Sequence, residues 1–250
     1  MRTPSEPGLL RVWERGAGAA RGAPAEALAK TRAGALLAAA VALPPAGLGG
    51  LTPGQRDARL LELRRRLFGE TLDGVARCPA CEGTLEFSLP VAALTEAGSP
   101  AADLEREAGE VEVDGYRIRV RPPTLAEVAA IGPEDGVDQL LRGCVARAER
   151  DGAVVPAAAL PASALEAVDA LLAVLDAAGD PELALRCPDC GHAWAEPLDV
   201  AAFLWGELDA WARRVLQEVH VLARAYGWTE REVLRLGPRR RRYYLDLVLG

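Results

Sequence analysis

The sequence predicts a predominantly helical α+β protein: a split four-cysteine ribbon, an inserted β-hairpin with helices, and a C-terminal helical arm. Three observations carry this prediction. The pattern Cys-Pro-x-Cys occurs twice, at residues 78–81 and 187–190, between short runs suited to strands. Residues 110–120 alternate polar and apolar side chains around an Asp-Gly pair, which predicts a hairpin with a type I′ turn. From residue 200 onward, apolar side chains recur at three- and four-residue steps for about seven turns of helix.

The helices before the arm are predicted from their start and stop signals. Thr52 followed by Pro53 is an N-cap with a first-turn proline, and Gly69 ends that helix. Capping boxes, in which a threonine precedes a glutamate by three residues, start helices after Thr124 and Thr229. The same kinds of signal predict further helices over residues 24–43, 136–150, 163–178 and 238–248.

These elements divide the chain into three parts. Residues 1–54 form a helical and flexible N-terminal segment, residues 55–199 form the ribbon domain with its insertion at 110–182, and residues 200–250 form the helical arm. The two cysteine copies align at an offset of 109 residues, and both end in Leu-x-Val-Ala-Ala. Each half of the ribbon is therefore expected to continue through a strand into a helix.

Two CxxC pairs supply the ligand set of a closed tetrahedral zinc site. We expect one structural Zn²⁺ held by four cysteines: Cys78, Cys81, Cys187 and Cys190. A redox dithiol, two separate metal sites and four cysteines that bind no metal are the alternatives. Gly191 follows the second copy, as a tight metal-binding turn prefers, whereas Glu82 holds that place in the first copy. The first turn is therefore predicted to be looser.

Composition excludes several classes of protein. The net charge of −7 disfavours binding to nucleic acid and to anionic membranes. No apolar run reaches the roughly 20 residues that span a bilayer, and the N-terminus lacks a signal pattern. We therefore expect a cytoplasmic protein without a membrane segment, in which paired cysteines bind metal rather than form disulfides.

The residues predict no catalytic site. The chain has two histidines, none of the common nucleophile or phosphate-binding motifs occurs, and a four-thiolate site has no open position for a substrate. We expect the protein not to be an enzyme. Arg117, Arg119 and Arg121 alternate along the predicted hairpin, either as a solvated face or as a contact for an acidic partner.

The arm is rich in residues that are common at protein interfaces. A protein partner, a solvated face and nucleic-acid binding through the tyrosines are the three interpretations of its basic run at 239–242. We predict partner contacts at Trp205, Trp211, Tyr226, Trp228, Arg240, Arg241 and Tyr244.

The stretch FLWGELDAWARRVLQEVHVLARAYGWTEREVLRLGPRRRRYYLDLV, residues 203–248, resembles the C-terminal signature of the T4-type phage baseplate hub assembly protein family. The pattern is a long helix ending in Tyr-Gly-Trp, then a proline, an arginine pair and Tyr-Leu. The resemblance extends upstream to about residue 56, through both cysteine pairs and the RVRPPTLAEV junction.

This resemblance implies a non-catalytic role in building the baseplate hub of contractile phage tails or bacterial contractile injection systems. The implied partners are hub or spike proteins, and the implied location is the bacterial cytoplasm or the assembled particle. A permanent structural component of the baseplate and a zinc-ribbon nucleic-acid-binding protein are the alternatives. On this interpretation, the ribbon anchors the arm that contacts the partner.

Overall fold

The computed structural model describes residues 3–19, 25–40, 45–95, 108–132 and 136–250. It mixes helices and strands and is 58% helical, which confirms the predicted predominance of helix. Residues 1–2, 20–24 and 41–44, which fall in the predicted N-terminal segment, lie outside the described residues. The chain divides into two compact units, one of residues 43–200 and one of residues 1–42 with 201–250. No helix among the described residues has the length and apolar composition of a membrane span.

The elements follow one another in this order. The N-terminal half of the chain contains α1 (Glu6–Ala19), α2 (Ala25–Ala40), α3 (Pro45–Gly49), α4 (Pro53–Phe68), β1 (Thr71–Arg77), β2 (Thr84–Pro90), α5 (Val91–Thr95), β3 (Gly109–Val113) and β4 (Tyr116–Val120). Then come α6 (Leu125–Ala130), α7 (Val137–Cys144), β5 (Val145–Arg150), β6 (Ala153–Val154), α8 (Ala162–Leu175), β7 (Glu182–Arg186), β8 (Ala193–Pro197), α9 (Val200–Tyr226), α10 (Glu230–Arg235) and α11 (Pro238–Leu249).

The predicted helix caps are confirmed. Thr52 accepts a hydrogen bond from the backbone of Gln55 and completes a capping box at the start of α4, and Gly69 ends that helix at φ 98°. Capping boxes also start α6 and α10. The N-terminus of α4 gains a second cap, because the carboxylate of Asp176 accepts hydrogen bonds from the Thr52 hydroxyl at 2.6 Å and the Gly54 N–H at 2.9 Å. Burial raises the pKa of Asp176.

A four-stranded antiparallel sheet in the order β3-β4-β5-β6 lies in the unit of residues 43–200. Its predicted hairpin turn is confirmed, since Asp114 and Gly115 adopt φ angles of 49° and 80°, the left-handed pair of a type I′ turn. One face of the sheet packs against α8 through Ile118, Val120, Ala148, Leu165 and Val168.

The predicted helix over residues 136–150 is wrong beyond Cys144, where the chain turns into β5. The Ala- and Arg-rich run has helical propensity, but pairing with β4 buries Ala148 in the sheet core. Asp151 and Gly152 then form another turn with φ angles of 50° and 78°. Tertiary pairing therefore overrides the local preference. Cys144 is buried, as predicted, and burial raises the pKa of its thiol to about 11.

The other face of the sheet carries the alternating arginines. The Nε of Arg117 lies 2.8 Å from the Glu112 carboxylate, and Arg121 forms a two-pronged pair with Glu127. Hydrogen bonds from Arg121 and from Thr124 lower the pKa of Glu127 to about 2. Two of the three arginines are thus engaged by glutamates of the same unit.

In the unit of residues 1–42 and 201–250, α1 packs against α9. The indole N–H of Trp13 donates a hydrogen bond to Asp209 at 2.7 Å. Gly16 lies against the ring of Trp205, where a Cβ would come within 2.1 Å of an aromatic carbon. The predicted apolar stripe of α9 is buried at Leu204, Leu208, Val215, Val219 and Leu222.

Candidate metal centre

The four predicted ligands meet at one point in the structure. Cys78 and Cys81 lie in the loop between β1 and β2, and Cys187 and Cys190 lie in the loop between β7 and β8. The four Sγ atoms all lie within 4.8 Å of one another. Across the two loops, the Sγ atoms of Cys78 and Cys190 lie 3.7 Å apart, and those of Cys81 and Cys187 lie 3.6 Å apart. Two loops more than 100 residues apart in sequence therefore form one cluster.

The spacing of these sulfurs fits a metal ion. A regular tetrahedron with metal–sulfur bonds of about 2.3 Å has edges of about 3.8 Å. The observed 3.6 and 3.7 Å separations match that edge. The cluster can hold a metal ion with all four sulfurs as ligands, and no position would then remain for water or substrate.

Both cysteine loops use the same backbone hydrogen bonds. In the first loop the N–H of Cys78 donates to Gly83 and the N–H of Glu82 donates to Cys78, both at 2.9 Å. In the second, Cys187 donates to His192 at 2.8 Å and Gly191 donates to Cys187 at 3.0 Å. The first turn is therefore as tight as the second, and the prediction that it is looser is wrong.

The reason is that Glu82 adopts the conformation of a glycine. Its φ is 59°, close to the 74° of Gly191 at the equivalent place. A left-handed conformation costs an ordinary residue about 1–2 kcal/mol. The glycine one place later, Gly83, leaves room between the loops. A Cβ there would lie 3.3 Å from the Cys81 sulfur and 2.8 Å from the Asp189 carboxylate of the other loop, which would have to shift.

The repeated residues around the cysteines have matching roles. Arg77 donates to the carbonyl of Glu82, and Arg186 donates to that of Gly191, both at 3.3 Å. The two hairpins share one register, since the pair Arg77–Thr84 corresponds to Arg186–Ala193 after the 109-residue offset. Each Leu-x-Val-Ala-Ala tail also starts a helix at its valine, α5 at Val91 and α9 at Val200, as predicted.

The thiols differ in acidity. Burial acts to raise the pKa of Cys78, but hydrogen bonds from the backbone of Cys81 and Ala80 and from neighbouring thiols lower it to about 7. The backbone of Gly83 acts to lower the pKa of Cys81, but the crowded thiols of the other three cysteines raise it to about 12. Cys78 is thus converted more readily than Cys81 to the thiolate that a metal ion requires.

The predicted partner contacts fall into two groups. Trp205 is buried, with the guanidinium of Arg32 4.7 Å from its ring centroid, and Trp211 packs on the core between α1 and α9. An aromatic cluster forms where α9, α10 and α11 meet. In this cluster the ring of Trp228 stacks on that of Tyr226, with the ring centroids 4.6 Å apart. The ring of Tyr244 meets Trp228 edge-on, with the centroids 5.1 Å apart.

The two predicted arginines of α11 lie in opposite environments. Arg240 is exposed, whereas Arg241 is 2% exposed. The guanidinium of Arg241 donates two hydrogen bonds to Glu6 at 2.6 and 3.0 Å and one to Glu218 at 2.9 Å. Arg241 and Trp205 therefore offer little surface to a partner, and partner contact by the predicted residues stays a prediction.

Sequence reasoning missed the pairing of Glu6 with Arg241, which joins residues 235 positions apart. Alternating or helical periodicity carries no signal for such a contact. Sequence reasoning considered Tyr243 only for stacking on nucleic-acid bases and left it out of the predicted partner contacts, although this side chain is 64% exposed beside the aromatic cluster. Tyr243 lies on the side of α11 opposite Arg241 and Leu245, and this helical spacing was the sequence signal that could have predicted its exposure.

The chain matches one known protein family over most of its length. Residues 37–205 match the family described as T4 bacteriophage base plate protein. The match spans about two thirds of the 250 residues and contains both cysteine loops and the four-stranded sheet. No curated protein and no solved structure matches the chain. Nearly all of the C-terminal signature lies beyond the match, so its separate resemblance stays a prediction. The chain belongs to the T4 bacteriophage base plate protein family.

Proposed function

We propose that this chain is a non-enzymatic assembly factor, or chaperone, for the baseplate hub of a contractile tail or contractile injection system, and that it binds hub or spike subunits. The observation that carries the proposal is the family match over residues 37–205, because a baseplate protein works in contact with other baseplate proteins. The resemblance of residues 203–248 to hub assembly proteins supports the narrower assignment. The proposed place of action is the bacterial cytoplasm, where tails are built.

The proposed role of the four-cysteine cluster is structural, with Zn²⁺ as the bound ion. Four thiols favour zinc among the common divalent ions, and a four-thiolate site is closed to hydrolytic chemistry. Zinc would tie the β1–β2 hairpin to the β7–β8 hairpin and complete a zinc ribbon. The ordered backbone hydrogen bonds of both loops support this role.

Co-expression tests the assembly role. The full chain, tagged at one terminus, is produced together with the hub and spike proteins of the same particle and purified in about 0.15 M salt. We expect a hub or spike protein to copurify. Recovery of none of them contradicts the proposal.

Mass spectrometry of finished particles separates a chaperone from a permanent component. An assembly factor is expected to be absent, or far below the copy number of the hub proteins. A stoichiometric amount in intact particles instead identifies a structural baseplate subunit.

A further inference from the structure

Helix α11 has two faces of different character. Its inner face is built from Arg241, Tyr244 and Leu245, which are buried or half-buried in the unit of residues 1–42 and 201–250. Its outer face exposes large apolar side chains, with Tyr243 64% and Leu247 61% exposed. These two residues are four positions apart, so they lie on one stripe of the helix together with Arg239. Burial within the fold does not account for this stripe.

Charge is distributed unevenly along the chain. Residues 200–250 contain nine arginines and six acidic residues, a net charge of +3. The remaining residues contain 20 basic and 30 acidic side chains, a net charge of −10. The arm is therefore basic on an acidic protein, and its arginines are densest at the start of α11.

The position of these arginines works against the helix itself. Arg239 and Arg240 lie in the first turn of α11, which contains no acidic residue, and the N-cap Gly237 makes no side-chain hydrogen bond. The N-terminal end of a helix carries partial positive charge, so cations are unfavourable there. Helix stability thus gives no reason for two exposed arginines at this place, whereas a partner with carboxylates does.

We propose that the outer face of α11, formed by Arg239, Arg240, Tyr243 and Leu247, docks an acidic segment of a partner protein. The inference rests on the proposed function and specifies the chemistry of the client. Carboxylates of the partner pair with the two arginines, and an apolar side chain packs between the tyrosine and the leucine.

A protein fits this face better than a nucleic acid. Leu247 and Leu249 are 61% and 70% exposed, and their apolar side chains make no favourable contact with a phosphate backbone. Asp246 lies on the same exposed surface, where it pairs with Arg242 at 3.1 Å and would repel a phosphate backbone. The aromatic cluster behind the face prearranges Tyr243, whose ring meets Tyr244 edge-on at 6.2 Å.

The test compares three full-length variants in binding to the hub and spike proteins of the particle, each immobilised in turn. Arg239→Glu/Arg240→Glu reverses the charge of the face, and Tyr243→Ala removes its anchor. Arg11→Glu/Arg15→Glu makes the same change of charge at exposed positions of α1, outside the arm. Because glutamate is favourable in a first helical turn, the first variant should melt no lower than wild type, which separates lost binding from lost folding.

The expected result is capture of at least one acidic hub or spike protein by wild type, weakened at least about tenfold by each α11 variant and unchanged by the control. Binding should also weaken at least about tenfold between roughly 50 and 500 mM salt. Equal binding by all variants overturns the inference and leaves the proposed function standing.

Two further outcomes would contradict the proposed function or assign the face to a different ligand. Failure of wild type to capture any hub or spike protein removes both the inference and the proposed function. Capture of a DNA oligonucleotide, or concentration-dependent self-association, that is lost in the α11 variants assigns the face to a different occupant and overturns the acidic-protein inference.

Discussion

The ion pairs of Arg241 with Glu6 and Glu218 predict a large loss of stability when the arginine is replaced. Its guanidinium connects α1, through Glu6, with α9, through Glu218, and also donates to the carbonyl of Leu236 at 3.0 Å. Replacement by Met keeps an unbranched side chain of similar length but removes the charge and every donor. Two carboxylates that face the interior of this unit are then left without their cation.

The expected cost follows from burial. Removing one partner of a buried ion pair costs about 3–5 kcal/mol, chiefly because the remaining charge stays desolvated. Arg241 has 2% side-chain exposure, but Glu6 and Glu218 retain 24% and 23%, so water can partly solvate them. We therefore expect Arg241→Met to lower the free energy of unfolding of this unit by about 2–4 kcal/mol.

Urea unfolding followed by tryptophan fluorescence measures this loss. Four of the five tryptophans lie in the unit that contains Arg241, so the signal reports mainly on that unit. The matched control is Arg240→Met on the exposed side of the same helix, for which we expect a change within about 0.5 kcal/mol.

A second variant tests the cause of the loss. Adding Glu6→Gln and Glu218→Gln to Arg241→Met removes the stranded charges, so part of the lost stability should return. If Arg241→Met costs no more than Arg240→Met, or if neutralising the carboxylates lowers stability further, the argument from buried charge is wrong.

The remaining predictions concern the cysteine loops and one capping box. Glu82→Gly should stabilise the protein by roughly 0.5–1 kcal/mol in urea unfolding by relieving the left-handed conformation, and Gly191→Ala should destabilise it by a similar amount; the opposite order would contradict the strain argument. Glu127→Gln should cost about 1 kcal/mol at pH 7 after allowance for exposure. Because the folded pKa of about 2 lies below the usual 4.5, this contribution is present above pH 4.5 and lost as pH falls toward 2. Melting curves of both proteins should therefore converge at about pH 2, and a constant difference would refute the ion-pair origin. Metal analysis of protein purified without chelator should find one Zn²⁺ per chain, lost in Cys81→Ser and kept in Cys144→Ala; a content near zero or two in wild type would exclude a single shared site.

The local elements were predictable because their signals are local. A threonine before a proline, a capping box and an Asp-Gly pair each act within four residues, and all appear in the structure where the sequence indicates them. The helix prediction failed at β5 because the signal that decides this strand is not local. The run VARAER has helical propensity, and its strand conformation depends on β4, about 30 residues earlier. The Asp-Gly pair that follows it, at the turn between β5 and β6, was the one local sign of a hairpin. A strand that is made by its partner cannot be found from its own residues.

The candidate metal centre was predictable for a related reason. Four thiolates in two CxxC turns have few other uses in a reducing compartment, so their identity and spacing indicate one cluster however long the insertion between them. The sequence did not reveal that Glu82 would adopt a glycine conformation. The backbone hydrogen bonds of the whole turn hold that conformation.

The sequence by itself determined the predominance of helix, the capped helix starts, the hairpin turn and the four cysteines that cluster, because each depends on periodicity or on neighbours along the chain. Only the tertiary structure decided which arginine of the basic run is interior and which is exposed. Arg240 and Arg241 are adjacent, carry the same charge and appear equivalent in sequence. Helical rotation by about 100° per residue turns one outward and the other toward Glu6 and Glu218, contributed by helices from both ends of the chain. Long-range packing therefore separates a structural arginine from one that remains available to a partner.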